Sequence, residues 1–175
     1  MGAIRRLMTS WSFTINEHDI ALVEKYLDEP GKFLFYQMNR FDQHHSLTVA
    51  RAILVKHQIT LKDFEMNILM KAALLHDIGK SEADFDLVNR ILVALIRRFF
   101  PFWQNRLASI NSNSWWEQLR YGVYLDLVHP ARGAHMAQLL GVNPAVIELI
   151  RRHHEPRQRS QSLGLKYLQA ADKRN

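Results

Sequence analysis

Apolar residues recur at helical spacing along most of the chain. Ile20, Leu22, Val23, Tyr26 and Leu27 share one face of a 3.6-residue period, and Pro30-Gly31 is expected to end that helix. Leu47, Val49, Ala50, Ile53 and Leu54 predict a second helix over about 45–57. Ile68, Leu69, Ala72, Leu74 and Leu75 predict a third, starting near Lys62-Asp63 and stopped by Gly79. Another is expected over about 86–99, before Pro101. The stretch 101–113 reads as a loop with at most one helical turn. Residues 114–127 read as helix, and Pro130 suits the first turn of a separate helix over 131–140. Gly141-Val142-Asn143-Pro144 then makes a turn, with Asn143 as N-cap of a helix running to about His154. A last helix covers 162–173. No strand alternation, internal repeat or Gly-rich loop interrupts this pattern. The fold class expected is all-α, a single-domain helical bundle.

Composition narrows the chemistry. The 175 residues include nine histidines and no cysteine, so any metal or catalytic site must be built from His, Asp and Glu. The net charge of +6 is uneven. Residues 1–90 hold 11 basic and 12 acidic side chains, whereas residues 91–175 hold 12 and 5. A basic half of this kind suits anionic partners, or is simply a solvated face. No apolar run is long enough to span a membrane. The N-terminal stretch lacks a leader's apolar region, and Arg6 stands where a myristoylation signal wants Ser or Thr. A cytoplasmic location is the expectation.

Four histidines fall at corresponding ends of two helical hairpins. His45 starts one helix and His76 ends the next, and in an antiparallel pair of about 12–14 residues each those ends lie side by side. His129, just before Pro130, and His153, at the end of the returning helix, repeat the arrangement. Asp77 directly follows His76, where the helix is ending. Two histidine pairs with a carboxylate form a metal-ligand constellation. His18, His57 and His135 are given no role, and His44 neighbours a ligand.

The run Leu74-Leu75-His76-Asp77-Ile78-Gly79-Lys80 resembles the signature of the HD-domain metal-dependent phosphohydrolases. His45 with Ser46-Leu47 and Val49-Ala50 is similar to the family's first histidine segment, and Ala171-Asp172 to its last aspartate. The resemblance implies a metal set of His45, His76, Asp77 and Asp172. His129-Pro130-Ala131-Arg132-Gly133-Ala134 and His153-His154-Glu155 resemble the additional motifs of members with two metals. They imply that His129 and His153 hold a second ion, with Asp77 bridging and His154 secondary. Residues 43–175 would then be the HD domain, with a helical insert at about 81–128 and residues 1–42 as an N-terminal helical extension. One departure is clear: Pro156-Arg157-Gln158-Arg159 replaces the Asp-Gly-x-Gly-Tyr-Pro run of the HD-GYP phosphodiesterases, so cyclic di-GMP specificity is not implied.

Imidazole and carboxylate ligands suit one or two divalent transition metal ions, Fe, Mn, Co, Ni or Zn. The resemblance implies hydrolysis of a phosphomonoester or phosphodiester bond of a nucleotide or similar small phosphorylated molecule by metal-activated water, with Asp77 and Lys80 catalytic. Lys80, Arg132 and Arg152 are the candidate phosphate-binding cations; a helix C-terminal charge is the lesser reading of Lys80 and an equal one for Arg152. Two alternatives stand beside this reading: a non-enzymatic nucleotide-sensing or partner-docking module, and a di-iron oxygenase. DNA is not an expected partner. Peripheral membrane contact through 91–103 is the weaker reading of a segment whose aromatics are expected in the core.

Overall fold

Capping side chains set several of the helix boundaries. Among the described residues (14–57, 61–81, 87–111, 113–159 and 161–174 of a computed structural model), nine α-helices and two 3-10 turns occur and no strand. Asn16 and Asp19 form a reciprocal capping box that starts α1 (Glu17–Tyr26). Asp28 then caps α2 (Glu29–Gln37) by accepting from the Gly31 N–H at 3.2 Å. Pro30 therefore lies in the first turn of a new helix, where its missing N–H costs nothing, and does not terminate the preceding one as expected. Helix α3 (Arg40–His57) begins a turn and a half earlier than expected, with the Asn39 side chain accepting from the Asp42 N–H at 3.1 Å.

Helix α4 (Asp63–Leu75) gives way to a 3-10 turn at Ile78–Lys80. Next come α5 (Leu87–Phe99), a 3-10 turn at Pro101–Trp103 and the short α6 (Gln104–Leu107). The expected helix start at Asp86, the turn residues 58–60 and the N-terminal stretch 1–13 lie outside the described residues.

Helix α7 corrects the sequence reading most. Residues Trp115–Leu139 form one continuous helix of 25 residues that passes through Pro130, where two helices were expected. A proline inside a helix leaves the carbonyl four residues back without its donor, here that of Asp126. The His129 ring supplies the replacement, donating from Nδ1 to the Asp126 carbonyl at 2.9 Å. Gly141, at φ 71°, then closes α7 in a Schellman arrangement with Val142 N–H bonded to the Ala137 carbonyl at 3.0 Å. Asn143 caps α8 (Pro144–Arg152), and α9 (Leu163–Arg174) completes the chain.

One apolar cluster joins α1–α4 with α7–α9. Val23 of α1 and Phe35 of α2 share it with Leu47, Ile53, Leu69, Leu74, Ile78, Ile150, Leu165 and Leu168. The α3–α4 pair, the α7–α8 pair and α9 all pack on this core, so the ends of α4 and α8 reach the same region. Gly79 makes the tightest approach. A Cβ there would overlap the His129 carbonyl oxygen and lie 2.8 Å from the Gly133 nitrogen. The turn after His76-Asp77 can therefore sit directly against α7 only with glycine at 79.

The aromatics of 91–103 are the second correction. Phe99, Phe100 and Trp103 are more than half exposed and Phe102 is 92% exposed, not part of the core. Helix α5 instead turns the half-buried Ile91, Leu92, Val93 and Ile96 towards the protein and packs on α7.

Candidate metal centre

Five segments deliver side chains to one place. His45 comes from the second turn of α3, His76 and Asp77 from the end of α4, and His129 from the middle of α7. His153 and His154 follow α8, and Asp172 lies in the last turns of α9. His76, Asp77, His129 and His153 are buried, while His45 and Asp172 are half-buried.

The rings are oriented by backbone carbonyls. His76 donates from Nδ1 to the Ala73 carbonyl at 2.9 Å, and His153 from Nδ1 to the Ile150 carbonyl at 2.7 Å. Both acceptors lie in a last helical turn, where carbonyls have no intrahelical donor. His129 uses the carbonyl freed by Pro130 in the same way. Three imidazoles thus have Nδ1 committed as donor, which turns each Nε2 towards the centre, where it offers a lone pair whenever its ring is neutral.

Those Nε2 atoms converge with two carboxylates. His129 Nε2 lies 3.2 Å from His153 Nε2 and 3.3 Å from Asp77 Oδ1. Asp77 also stands 3.7 Å from His76 Nε2 through Oδ2 and 3.9 Å from His153 Nε2 through Oδ1. Asp172 Oδ1 is 2.9 Å from His45 Nε2 and 3.8 Å from His76 Nε2, and its Oδ2 is 4.0 Å from His154 Nε2.

This arrangement suits a cation. His76 Nε2 is buried and has no hydrogen-bond partner, and the buried Asp77 Oδ1 is met by the Lys80 ammonium without an aligned hydrogen bond. With both Nδ1 atoms donating, the facing Nε2 atoms of His129 and His153 would set two lone pairs against each other. A positive charge between them relieves that conflict. Three overlapping sets place one ligand atom per residue within 4.8 Å of one another: His45, His76 and Asp172; His76, Asp77 and His153; and His129, His153 and His154. Mixed nitrogen and oxygen donors of this kind match divalent transition metals.

Burial and neighbouring charge set the protonation of these groups. Burial pushes His129 down, helped by the nearby Lys80 ammonium, and pushes His153 well below the usual imidazole range, helped by the rings around it. His154 lies at the more open edge of the cluster, and partial desolvation with the nearby His129 ring and Lys80 ammonium brings it to about 4. These three rings are thus neutral, as metal ligands must be. His76 behaves oppositely: burial alone would lower it, but Asp77 and Asp172 raise it to about 9. Burial would raise both carboxylates, yet Asp77 is held well below the normal range by Lys80 and His76, and Asp172 below it by His45 and His76.

No protein-family model, curated protein or solved structure matches the chain. The chemistry of the site therefore rests on its own geometry.

The expected phosphate-binding cations are not equally placed. Lys80 Nζ sits 2.9 Å from both oxygens of Asp77 and is aligned for a hydrogen bond with Oδ2. Arg132 donates to the Gly79 carbonyl at 3.0 Å, bracing the turn that carries Asp77. Arg152 is held by Glu155 at 2.8 Å and Glu148 at 3.2 Å, so its charge is already matched on α8.

Asp126 was not singled out from the sequence. Its carbonyl receives His129, and its buried side chain binds Arg97 at 3.0 Å and Gln104 at 3.1 Å. The signal that points to it is its place four residues before a helix-internal proline. Of the histidines given no role, His18 and His135 are exposed, and the side chain of His57 lies outside the described residues.

Proposed function

We propose that this chain is a metal-dependent phosphohydrolase of the HD type, acting on a phosphomonoester or phosphodiester of a nucleotide or similar small phosphorylated molecule. The observation that carries the reading is the buried convergence of histidine Nε2 atoms on two carboxylates, with His76 Nε2 left without a hydrogen-bond partner. In this reading His45, His76, Asp77 and Asp172 hold one divalent ion. His129 and His153 hold a second, with Asp77 shared and His154 beside it. Divalent ions bound there would supply Lewis acidity, lowering the pKa of a coordinated water and offsetting charge on phosphoryl oxygens.

The protein's own residues do the positioning. Asp77 is kept ionised by Lys80 and His76, so it is a carboxylate ready to share between ions or to orient a water. Lys80, carried on the 3-10 turn, fixes Asp77 and brings an ammonium group to the site's edge. It could meet a phosphate oxygen there as charge builds during displacement. Arg132 ties the Gly79 turn to α7, which keeps Asp77 in reach of His129. Helix ends supply the ring orientation without further charged side chains.

The test is release of inorganic phosphate or of a nucleotide product across a panel of phosphoesters with each candidate metal. His76→Ala and Asp77→Asn should each lower turnover by at least about 100-fold, since loss of an outer partner alone costs 10–100-fold. Turnover that survives either change would refute the assignment.

A further inference from the structure

The C-terminal end of α5 and the turn after it form an apolar surface with a positive fringe. Leu95 is 45% exposed, Phe99 63%, Phe100 58%, Phe102 92% and Trp103 55%, with Val88 at 54% one face further back. Scattered exposed apolar side chains need no explanation, but five within nine residues of one helix end and its turn form a patch. We propose that this face docks on the surface of an anionic lipid bilayer.

Charge complementarity chooses the occupant. From Leu87 to Trp116 the sequence has four arginines and no acidic residue. Arg97 is used by Asp126, but Arg98 and Arg106 have no carboxylate partner among the described residues. Instead Arg98 lies over the Phe99 ring at 5.7 Å and Arg106 over the Trp103 ring at 5.6 Å. Aromatic rings carrying arginine at their rim match a membrane interface, with the rings at headgroup depth and the guanidinium groups on lipid phosphates.

Other occupants fit less well. A second copy would bring one arginine-fringed patch against another. An RNA backbone would satisfy the arginines but leave Leu95 and Phe102 without an apolar partner. A bilayer uses both components. Docking would also act close to the candidate metal centre, because Arg97 on α5 binds Asp126, whose carbonyl orients His129. The surface stands independently of the metal-site reading.

Vesicle binding tests it without any substrate or metal. Co-sedimentation and tryptophan fluorescence would be compared on vesicles of phosphatidylcholine alone and on vesicles containing phosphatidylglycerol. Binding with a blue-shifted emission is expected on the anionic vesicles only, weakening as salt rises. One basic residue near such a surface is worth about fivefold, so Arg98→Ala with Arg106→Ala should weaken binding by about 25-fold. Phe102→Asp with Trp103→Asp should abolish it while circular dichroism and the melting temperature stay as in the wild type. These side chains are exposed, so folding does not depend on them. Absence of binding to anionic vesicles overturns the proposal, as does equal binding by the Asp variant. A dimer in sedimentation velocity that the same Asp variant dissolves would assign the face to a second copy instead.

Discussion

Pro130 is where a single residue shapes the site most. By withholding one N–H from the Asp126 carbonyl, it leaves that oxygen for the His129 ring, as the ends of α4 and α8 do for His76 and His153. Pro130→Ala restores a competing backbone donor without removing any ligand. The expected result is a fall in metal affinity of about 10-fold with secondary structure retained, read by metal titration and circular dichroism. Unchanged affinity would show that the carbonyl does not set the ring. Gly79 acts by its lack of a side chain. Gly79→Ala drives a methyl into the His129 carbonyl and should cost about 2–3 kcal/mol in thermal or urea unfolding, the scale of overpacking a tight contact. A melting temperature equal to the wild type would mean that the turn can move away.

Among the elements, caps decide boundaries that hydrophobic spacing leaves open. Asp28 accepts from the Gly31 N–H and pairs with Lys71 of α4 at 2.8 Å, so it both starts α2 and ties it to the core. Asp28→Ala should lower stability by about 1 kcal/mol, chiefly through the lost cap, because the ion pair is largely exposed. The Lys71 hydrogen bond holds the Asp28 carboxyl below its usual value. A carboxylate with a depressed folded-state pKa stabilises fully above its unfolded value and progressively less as pH falls below about 4. The difference between wild type and Asp28→Ala should therefore shrink in acid; a constant gap would exclude the carboxylate as its source.

The same elements show what the chain discloses on reading. Helical content and the meeting of His45 with His76 were legible, because apolar spacing and helix length fix which ends lie together. The meeting of His129 with His153 was legible for a reason that proved wrong in part: His129 is not at a helix start, and the two rings meet because α7 continues through Pro130 and packs beside α8. Pro30 was misread because an Asp cap two residues earlier turns a stop into a start. The exposed Phe99–Trp103 segment was illegible, since an amphipathic helix followed by aromatics has the same pattern whether a protein core or another surface covers it.

At the scale of the whole molecule, the candidate centre draws on α3, α7 and α9 and on the segments closing α4 and α8, so it spans the bundle. A ligand that binds only the folded state stabilises by mass action, about 4 kcal/mol at a thousandfold excess over its dissociation constant. For a domain of this length that is about 8–16 °C in melting temperature. Chelation should lower the melting temperature by an amount of this order, and re-addition of the cognate metal should restore it. No change on chelation would deny a structural share to the ion. No helix among the described residues is long and apolar enough to cross a membrane.

The central claim, a metal-dependent phosphohydrolase, is tested most directly by metal content and turnover measured on one preparation. The purified protein would be assayed for bound transition metal, then for product release from a phosphoester panel without oxygen and with each divalent ion. One to two equivalents of metal are predicted, with metal-dependent, oxygen-independent release that is lost in His76→Ala and Asp77→Asn. A protein that binds no transition metal, or turns over only by consuming oxygen, would contradict the account.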